Sequence, residues 1–386
     1  MTRLYCLEPE LPGSEWEPFR GARPIAELRA GAWRIRDRWA ASLGTPDVRI
    51  CGHAGPFADA DSVPVDHDRP IRGPAVVARS DFVPAGGVPR LQSGTRRLTS
   101  GSGTVAWIVP EGETWAPNDH GPAETIPGVL LQGAWDLIRA LEELLPADCH
   151  GAAAADRADP VPPGSIVLGD PAGVACFGAE VEPGVVFDVR QGAVVLEEGV
   201  KVQSGTRLEG PLFVGPNTIL LGGAIRHSSI GPACRVQGEV TSTVFLGYGN
   251  KSHDGFVGHS VIGQWVNLGA GSITSNLKNT YGEIRLELEG GRVSTGRMNL
   301  GTLFGDHSKT AIGTLLSAGT IVGTGAQVLQ RNPARVVPPF SWGDQGRKVD
   351  LEGFLTIARR VMPRRKVTVS GEIEASLRDL HRRLCR

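Results

Sequence analysis

The chain has 386 residues, a formal net charge of -1, and many glycines and prolines (52 and 28). This length predicts two or three domains rather than one hydrophobic core, and the near-neutral charge argues against nucleic acid as a partner. The sequence shows no apolar signal segment and no run long enough to span a membrane, so we expect a cytoplasmic protein with no membrane partner.

The six cysteines are scattered, and no two of them have the Cys-x-x-Cys spacing of a metal or redox motif. They therefore indicate neither a zinc site nor a disulfide framework. We predict no metal ligands and expect a reducing compartment.

Residues 1–150 alternate short apolar runs with amphipathic stretches, which is typical of a mixed α/β domain. Buried strands are predicted at 4–7, 48–51, 75–78 and 105–109. Pro24 is predicted to open a helix whose apolar face continues to Leu43, and a second helix is predicted from Trp135. The small, charged and proline-rich residues 151–163 predict a linker.

Residues 164–345 carry a six-residue period of apolar residues and glycines, which fits neither an amphipathic helix nor an alternating strand. One run of apolar positions spaced by six is Val202, Leu208, Val214 and Leu220, and another is Phe256, Ile262 and Leu268. Such hexads predict a parallel β-helix, in which three hexads form one triangular coil. About eight coils are expected, stacked at the strand spacing of about 4.8 Å.

The repeat is interrupted at 277–300, where apolar and polar residues alternate from Ile284 to Leu288 before a Gly-Gly pair. This pattern predicts a hairpin that leaves the coil. Residues 346–386 then predict two amphipathic helices as a C-terminal tail. The basic run 359–366 forms either a solvated helix face or a site for the phosphates of a nucleotide-tailed cofactor.

The candidate catalytic residue is His253, which lies on a turn between hexads in the sequence Lys-Ser-His-Asp. A neutral imidazole there can accept a proton from an attacking amine; the alternative is an exposed turn histidine without a role. Asn267 and Asn276 lie in a glycine-rich coil, where they either form an asparagine ladder or contact a ligand that the glycines allow to approach. The polar cluster from Asp306 to Lys309 is either a solvated turn or part of the groove that holds His253.

The stretch 249–279, GNKSHDGFVGHSVIGQWVNLGAGSITSNLKN, resembles part of a known enzyme family. Together with GDHSKTAIGT, PPFSWG and the N-terminal RPIAELRAG, it is similar to the bifunctional bacterial enzymes that make UDP-N-acetylglucosamine. The similarity is greater to their variant branch, UDP-N-acetylglucosamine diphosphorylase/glucosamine-1-phosphate N-acetyltransferase, and it extends over nearly the whole chain.

The resemblance implies a nucleotidyltransferase-like α/β domain, a left-handed parallel β-helix of hexapeptide repeats and C-terminal helices, assembled as a homotrimer. It implies a transferase that moves an acetyl group from acetyl-CoA to an amino-sugar phosphate such as glucosamine-1-phosphate. It also implies a sugar-1-phosphate nucleotidyltransferase activity that uses Mg²⁺. The expected partners are therefore sugar phosphates and nucleotides.

By the same resemblance, His253 is the base of acetyl transfer. Lys251, Phe256 and Asn267 are implied to face the sugar phosphate, although phenylalanine replaces the family's tyrosine. Asn276 is implied at the acyl-donor site.

The polar cluster is expected to help place the acyl donor through Asp306, His307 and Lys309. In the N-terminal domain, Arg23 stands where the family has a nucleotide-binding lysine. Ser242 lies where the family has a lysine that binds the sugar phosphate, and the family's glycine-rich nucleotide loop does not occur in the first fifty residues.

Two other functions stay open at this point. The missing glycine loop and the departures at Phe256 and Ser242 favour a non-catalytic trimeric protein that binds sugar nucleotides. Three histidines, His227, His253 and His259, would be needed for a β-helix metal hydratase, which requires three imidazoles to converge on one zinc ion at about 2 Å.

Overall fold

The computed structural model describes residues 2–9, 13–52, 57–66, 70–87, 92–101, 103–154, 158–343 and 346–385. Two of the predicted domain boundaries include residues outside these ranges. Residues 155–157 of the predicted linker and 344–345 at the end of the predicted β-helix lie outside the described residues.

The N-terminal domain is built on a mixed sheet of seven strands in the order β10-β8-β9-β6-β1-β4-β5. Strands β6, β1, β4 and β5 are parallel, whereas β9 is antiparallel to both β6 and β8. The strands of the domain are β1 (Arg3–Leu7), β2 (Arg29–Ala30), β3 (Trp33–Arg34), β4 (Val48–Cys51), β5 (Val65–Asp66), β6 (Ala75–Arg79), β7 (Phe82–Pro84), β8 (Arg97–Ser100), β9 (Gly103–Val109), β10 (Ala123–Thr125) and β11 (Gly128–Leu130). The four predicted strands correspond to β1, β4, β6 and β9.

The first helix is shorter than predicted. Helix α1 runs from Ile35 to Leu43 and ends at Gly44, whose φ of 64° suits a glycine. The predicted helical start at Pro24 is wrong, because that segment forms one 3₁₀ turn (Ile25–Glu27) and then the β2–β3 hairpin. The second helix, α2 (Asp136–Ala153), extends into the segment predicted as a linker.

The rest of the chain is the expected left-handed parallel β-helix with three faces, each named here by its surroundings. The docked face carries the N-terminal domain and consists of β13 (Val174–Cys176), β16 (Val194–Leu196), β19 (Leu212–Val214), β22 (Ser229–Ile230), β25 (Val244–Phe245), β28 (Val261–Ile262), β32 (Thr302–Phe304), β35 (Thr320–Val322) and β37 (Val336–Val337). The open face consists of β12 (Ile166–Leu168), β15 (Val186–Asp188), β18 (Thr206–Glu209), β21 (Gly223–Arg226), β24 (Glu239–Thr241) and β27 (Phe256–Gly258), continued by β29 (Ile273–Thr274) and β34 (Leu315–Leu316).

The tail face is covered by the C-terminal helices. It consists of β14 (Glu180–Val181), β17 (Lys201–Val202), β20 (Ile219–Leu220), β23 (Arg235–Val236), β26 (Asn250–Lys251), β33 (Lys309–Thr310), β36 (Gln327–Val328), β38 (Ser341–Trp342) and β39 (Arg347–Lys348). Within the described residues, the docked face therefore has nine strands where about eight coils were expected.

The hexad residues fill the interior of the coils. Val202, Leu208, Val214 and Leu220 are at most 1% exposed and belong to one continuous core. Because one coil cannot bury these side chains alone, the stacking of neighbouring coils supplies the stability of the β-helix. The six-residue period thus predicted the core correctly.

The N-terminal domain lies against the docked face. Outward residues of that face, including Val195 and Phe213, share a hydrophobic core with Leu4 and Ile138 of the N-terminal domain. Helix α2 makes most of this contact. The predicted hairpin is present as β30 (Arg285–Leu288) and β31 (Gly291–Ser294), and it packs toward the N-terminal domain, with Arg297 at its base donating to Glu142 of α2.

Two helices form the predicted tail. Helix α3 (Leu351–Val361) begins at the N-cap Asp350, and helix α4 (Gly371–Leu384) begins at the N-cap Ser370. Both pack on an apolar cluster around Trp265 and Phe340 at the tail face. In the described part of the chain, no helix is long and apolar enough to cross a membrane.

Candidate active site

The predicted base lies at the corner where the tail face meets the open face. His253 follows β26 and precedes β27, and its side chain is exposed. Backbone hydrogen bonds align this corner with the next two coils: Gly271 N–H donates to the Asp254 carbonyl oxygen, and Gly313 N–H donates to that of Ala270. The neighbouring Ile312 is 79% exposed. An accessible corner with small and apolar neighbours therefore presents the imidazole.

Lys251 supports this turn from inside. Its ammonium group is buried and donates to the carbonyl oxygens of Gln237 (2.6 Å) and His253 (2.7 Å). Burial lowers the pKa of Lys251 to about 8. The predicted sugar contact is therefore occupied with the backbone of the turn, and Lys251 fixes the position of His253 instead of facing the open surface.

Phe256 and Asn276 meet on the outer surface of β27. A Cβ atom on Gly258 would lie 2.5 Å from Phe256 Cζ and 2.8 Å from Asn276 Nδ2, so only glycine leaves room for both side chains. The ring of Phe256 thus extends from the His253 turn toward Asn276. The structure brings these two predicted contacts together on the accessible side of the β-helix.

His259 is a further polar residue of this site, and the sequence had suggested it only as a metal ligand. Its Nδ1 lies 2.8 Å from Asn276 Nδ2, and because an amide NH₂ group only donates, Nδ1 is the acceptor and the neutral ring carries its proton on Nε2. Burial lowers the pKa of His259. His259 therefore fixes the orientation of the Asn276 amide. The sequence feature that could have indicated this contact is the spacing of 17 residues between His259 and Asn276, which is close to one coil of this β-helix.

Asn267 lies on the other side of the corner, on the tail face. Its Oδ1 accepts from Asn250 Nδ2 at 2.9 Å, and backbone bridges continue the row through Lys309. This is the asparagine ladder that was one of the two interpretations of the sequence. Arg365 of the tail also donates to Asn250. Asn267 therefore belongs to the tail face, whereas Asn276 lies beside β27 on the open face.

Comparison with known proteins relates the chain to bifunctional transferases. No model of a protein family matches it. Over 150 residues it is 33% identical to the bifunctional sugar-1-phosphate nucleotidylyltransferase/acetyltransferase of Sulfurisphaera tokodaii, covering 36% of this chain and 35% of that protein. Over 145 residues it is 31% identical to the bifunctional protein GlmU of Methanococcus vannielii, covering 34% of this chain and 33% of the relative.

The chain is therefore similar to bifunctional transferases of this kind over about a third of its length. The GlmU protein of Methanocaldococcus jannaschii is a third relative, 27% identical over 157 residues, which cover 38% of this chain and 36% of that protein. The chain spans about a third of the length of the curated relatives it matches. The similarity confirms the resemblance to this group, although it covers about a third of the chain and not nearly all of it as the sequence predicted.

Other predicted contacts differ from what such a transferase site needs. Arg23 is buried and donates to Asp59 Oδ2 and Asp306 Oδ2, at 3.0 and 2.9 Å. Asp306 also accepts from the backbone N–H of Gln264. Arg23 and Asp306 thus join the N-terminal domain to the β-helix. Their charges are already paired with each other and with Asp59. Their predicted roles toward a nucleotide and an acyl donor have no support from this position.

His307 and Lys309 are also enclosed by the fold. The imidazole of His307 is buried beside Trp265 and contacts Phe354 of α3 edge-on, and this burial lowers its pKa well below the usual value. Lys309 donates to the carbonyl oxygen of His307, and burial lowers its pKa to about 8. The cluster is a contact between the β-helix and the tail, so a groove shared with His253 has no support within this chain.

The histidines do not converge as a metal hydratase requires. His253 precedes β27 and His259 follows it, so they lie at opposite ends of that strand. Nδ1 of His259 is also taken by Asn276. Among the described residues, no group of three or more His, Cys, Asp or Glu side chains is arranged to hold a metal ion.

The N-terminal domain fills the place where its sheet would bind a nucleotide. Ligands of parallel α/β sheets bind at the carboxyl ends of the strands. Glu8 follows β1 at this edge, and its carboxylate accepts from the backbone N–H groups of Ile25 and Ala26, at 2.7 and 3.0 Å. Burial raises the pKa of Glu8 to about 7. A phosphate would therefore meet a carboxyl group and two backbone donors that are already used.

Proposed function

We propose that the chain is an N-acetyltransferase that transfers an acetyl group from acetyl-CoA to the amine of an amino-sugar phosphate such as glucosamine-1-phosphate. The observation that carries this proposal is the exposed His253 at a corner of the β-helix, with Phe256 and Asn276 on the adjoining accessible face. The names of the relatives, which include acetyltransferase, support the same reaction.

In this mechanism, His253 is the general base. Its neutral imidazole accepts a proton from the sugar amine as the C–N bond forms and the C–S bond of the thioester breaks. The same proton then returns to the sulfur of the leaving thiol, so the imidazole ends neutral. A positioned general base typically contributes about 10²- to 10⁴-fold to the rate. Lys251 keeps the base in place through its bond to the His253 carbonyl oxygen.

The same corner fits an acyl donor of extended shape. Beyond the His253 turn, Ala270 and Ile312 follow one another in successive coils, and Leu329 lies in the coil after them; Ile312 and Leu329 are 79% and 51% exposed. This row can lie against the apolar parts of a pantetheine chain. Acetyl-CoA supplies the thioester when bound. The sugar would then lie over Phe256.

The exposed row also supports assembly. Apolar side chains as accessible as Ile312 and Leu329 mark interaction surfaces when they are contiguous. A second copy that lies along this corner would cover them and enclose His253 between two chains. We therefore propose a homotrimer, in which each site lies between neighbouring protomers. Sedimentation of the wild type and of an Ile312→Glu variant tests this assembly; a wild-type monomer would overturn it.

Nucleotidyl transfer is the second candidate, because the names of the relatives include it. The parallel strands at the centre of the N-terminal sheet suit such a domain. The contacts of Glu8 and Arg23 weigh against it. The nearby carboxylates Asp66 and Asp81 are bound to arginines. These residues do not fit a Mg²⁺–triphosphate site, and no step through Mg²⁺ follows from them.

The test is one incubation with acetyl-CoA, glucosamine-1-phosphate, UTP and Mg²⁺, in which thiol release and pyrophosphate release are measured separately. We expect thiol release, and a loss of about 10²- to 10⁴-fold in the His253→Ala variant. The matched control is His150→Ala, which removes an exposed histidine from α2. Equal thiol release by the two variants would remove His253 from its role. Binding of UDP-sugars without thiol release would favour the non-catalytic alternative.

A further inference from the structure

A second groove lies away from the residues assigned to acetyl transfer. It runs between the tail face and residues 364–373, and residues 58–62 of the N-terminal domain close one side. Its volume is about 710 Å³, within the range of about 300–1,000 Å³ that is usual for small-molecule sites. None of its lining residues belongs to the set proposed above for acetyl transfer.

The lining of this groove is strongly basic. Five cationic side chains face two carboxylates, Asp59 and Glu372. Asp59 is already bound to Arg23. The cationic residues of the lining are Lys201, Arg235, Arg364, Arg365 and Lys366. The groove therefore has an excess of positive charge that its own carboxylates do not neutralise.

Four of the five cations form no ion pair with a carboxylate among the described residues, and three of these four are arginines. Lys201 pairs with Glu180 at 2.7 Å. Among the residues that the structure describes, Arg235, Arg364 and Arg365 form no ion pair with a carboxylate. Most buried or half-buried arginines among the described residues do have such a partner, as Arg23 does. The three guanidinium groups are thus set apart by the lack of an anion.

Their hydrogen-bonding capacity is also incompletely used. Arg365 Nε is buried and has no acceptor, while its Nη2 atom donates to Asn250 Oδ1 at 3.1 Å. Within the described ranges, Arg235 donates to two backbone oxygens, those of Cys234 and Asn217. Burial, and then the charges of Arg235 and Arg364, lower the pKa of Arg365. A guanidinium group does not lose its proton in proteins, so an anion is the species that relieves this repulsion.

We propose that the groove binds a small molecule that carries a diphosphate, with Arg235, Arg364 and Arg365 holding the phosphate oxygens. Arginine suits this ligand because its planar fork donates two parallel hydrogen bonds to a phosphate. The half-buried Tyr248 and the apolar Ile219 line the remaining space. The volume suits a ligand of nucleotide size, and the phosphate chemistry is shared by the nucleotide part of CoA and by a nucleoside diphosphate.

Calorimetric titration of the full chain with pyrophosphate tests the site, and parallel titrations with UDP and CoA distinguish the two sources. We expect pyrophosphate to bind with an affinity that falls as salt is added. Tighter binding of UDP identifies a nucleoside diphosphate, and tighter binding of CoA identifies the nucleotide part of an acyl donor; either supports the proposal. No binding of the three at millimolar concentration overturns it.

Variants locate the binding. Arg235→Met and Arg365→Met should each weaken pyrophosphate binding by about 10- to 100-fold, because each removes charge-assisted hydrogen bonds. Arg360→Met is the matched control, since Arg360 is an exposed member of the same basic run that does not line the groove. If Arg365→Met does not fold, the exposed Arg364→Met replaces it. Equal affinity in the groove variants and in Arg360→Met would refute the proposed site.

Discussion

Replacing Arg23 with methionine tests how the N-terminal domain is held on the β-helix. The Arg23 side chain is 2% exposed and lies between Asp59 and Asp306, which belong to different domains. Methionine is of similar length but has no charge. The variant would therefore keep most of the packing and leave two buried carboxylates without their cation.

The magnitude follows from this burial. Removing one partner of a buried ion pair costs about 3–5 kcal/mol, because the remaining charge stays desolvated. That is a large part of the usual stability of about 5–15 kcal/mol. The matched control is Arg20→Met, only three positions away, whose pair with Glu289 is exposed at both ends. We expect that variant to lose about 1 kcal/mol at most.

The assay is urea denaturation of both variants, followed by circular dichroism at two pH values. Burial raises the pKa of Asp59, so in Arg23→Met this unpaired carboxyl group should bind a proton more tightly in the folded state than in the unfolded state. The stability of the variant should therefore recover as the pH falls from 7 toward 5. If Arg23→Met is no less stable than Arg20→Met at pH 7, the buried ion pairs do not hold the domains together.

Three further predictions concern single residues. Lys251→Met removes the ammonium group that donates to the carbonyl oxygens of Gln237 and His253, and kcat for acetyl transfer should fall by about 10-fold or more with KM little changed, as measured by thiol release. Because burial raises the pKa of Glu8 from 4.5 to about 7, the folded state holds a proton that the unfolded state has released. The contribution of Glu8 to stability should thus fall by about 3 kcal/mol as the pH rises from 4.5 to 7, and in urea titrations the wild type should lose this much more stability than Glu8→Gln over that range. Phe256→Tyr adds a hydroxyl group to the accessible face and should lower KM for the sugar phosphate about 5-fold; an unchanged KM would place the sugar elsewhere.

The repeats made most of the fold predictable. Each hexad encodes one inward apolar residue, so residues such as Leu208 and Val214 determine the β-helix without any long-range information. The alternation from Ile284 to Leu288 identified the hairpin for the same reason. The predicted helical start at Pro24 was wrong because the segment that follows it is irregular and buried on every side. The spacing of its apolar residues therefore resembled that of one helical face.

The contacts of the candidate site were only partly predictable. Arg23 and Asp306 are 283 residues apart, and no local pattern indicates that they pair. Lys251 looked like a surface lysine, yet a backbone turn takes up its ammonium group. In contrast, the contact of His259 with Asn276 spans one coil, so the coil length would have predicted it. Stacking between coils is thus readable from the sequence, whereas docking between domains is not.

The surroundings of the three faces decide where chemistry can take place. Helix α2 covers the docked face, and helices α3 and α4 cover much of the tail face. Residues that looked catalytic but lie under these elements, such as His307, instead hold the domains together. Polar residues keep access to ligands only where a covering element ends. His253 stands at the edge of the open face, and Arg235 lies where residues 364–373 stand off from the tail face. In this protein, coverage by the flanking domains separates ligand-accessible polar residues from structural ones, although both arise from the same repeat.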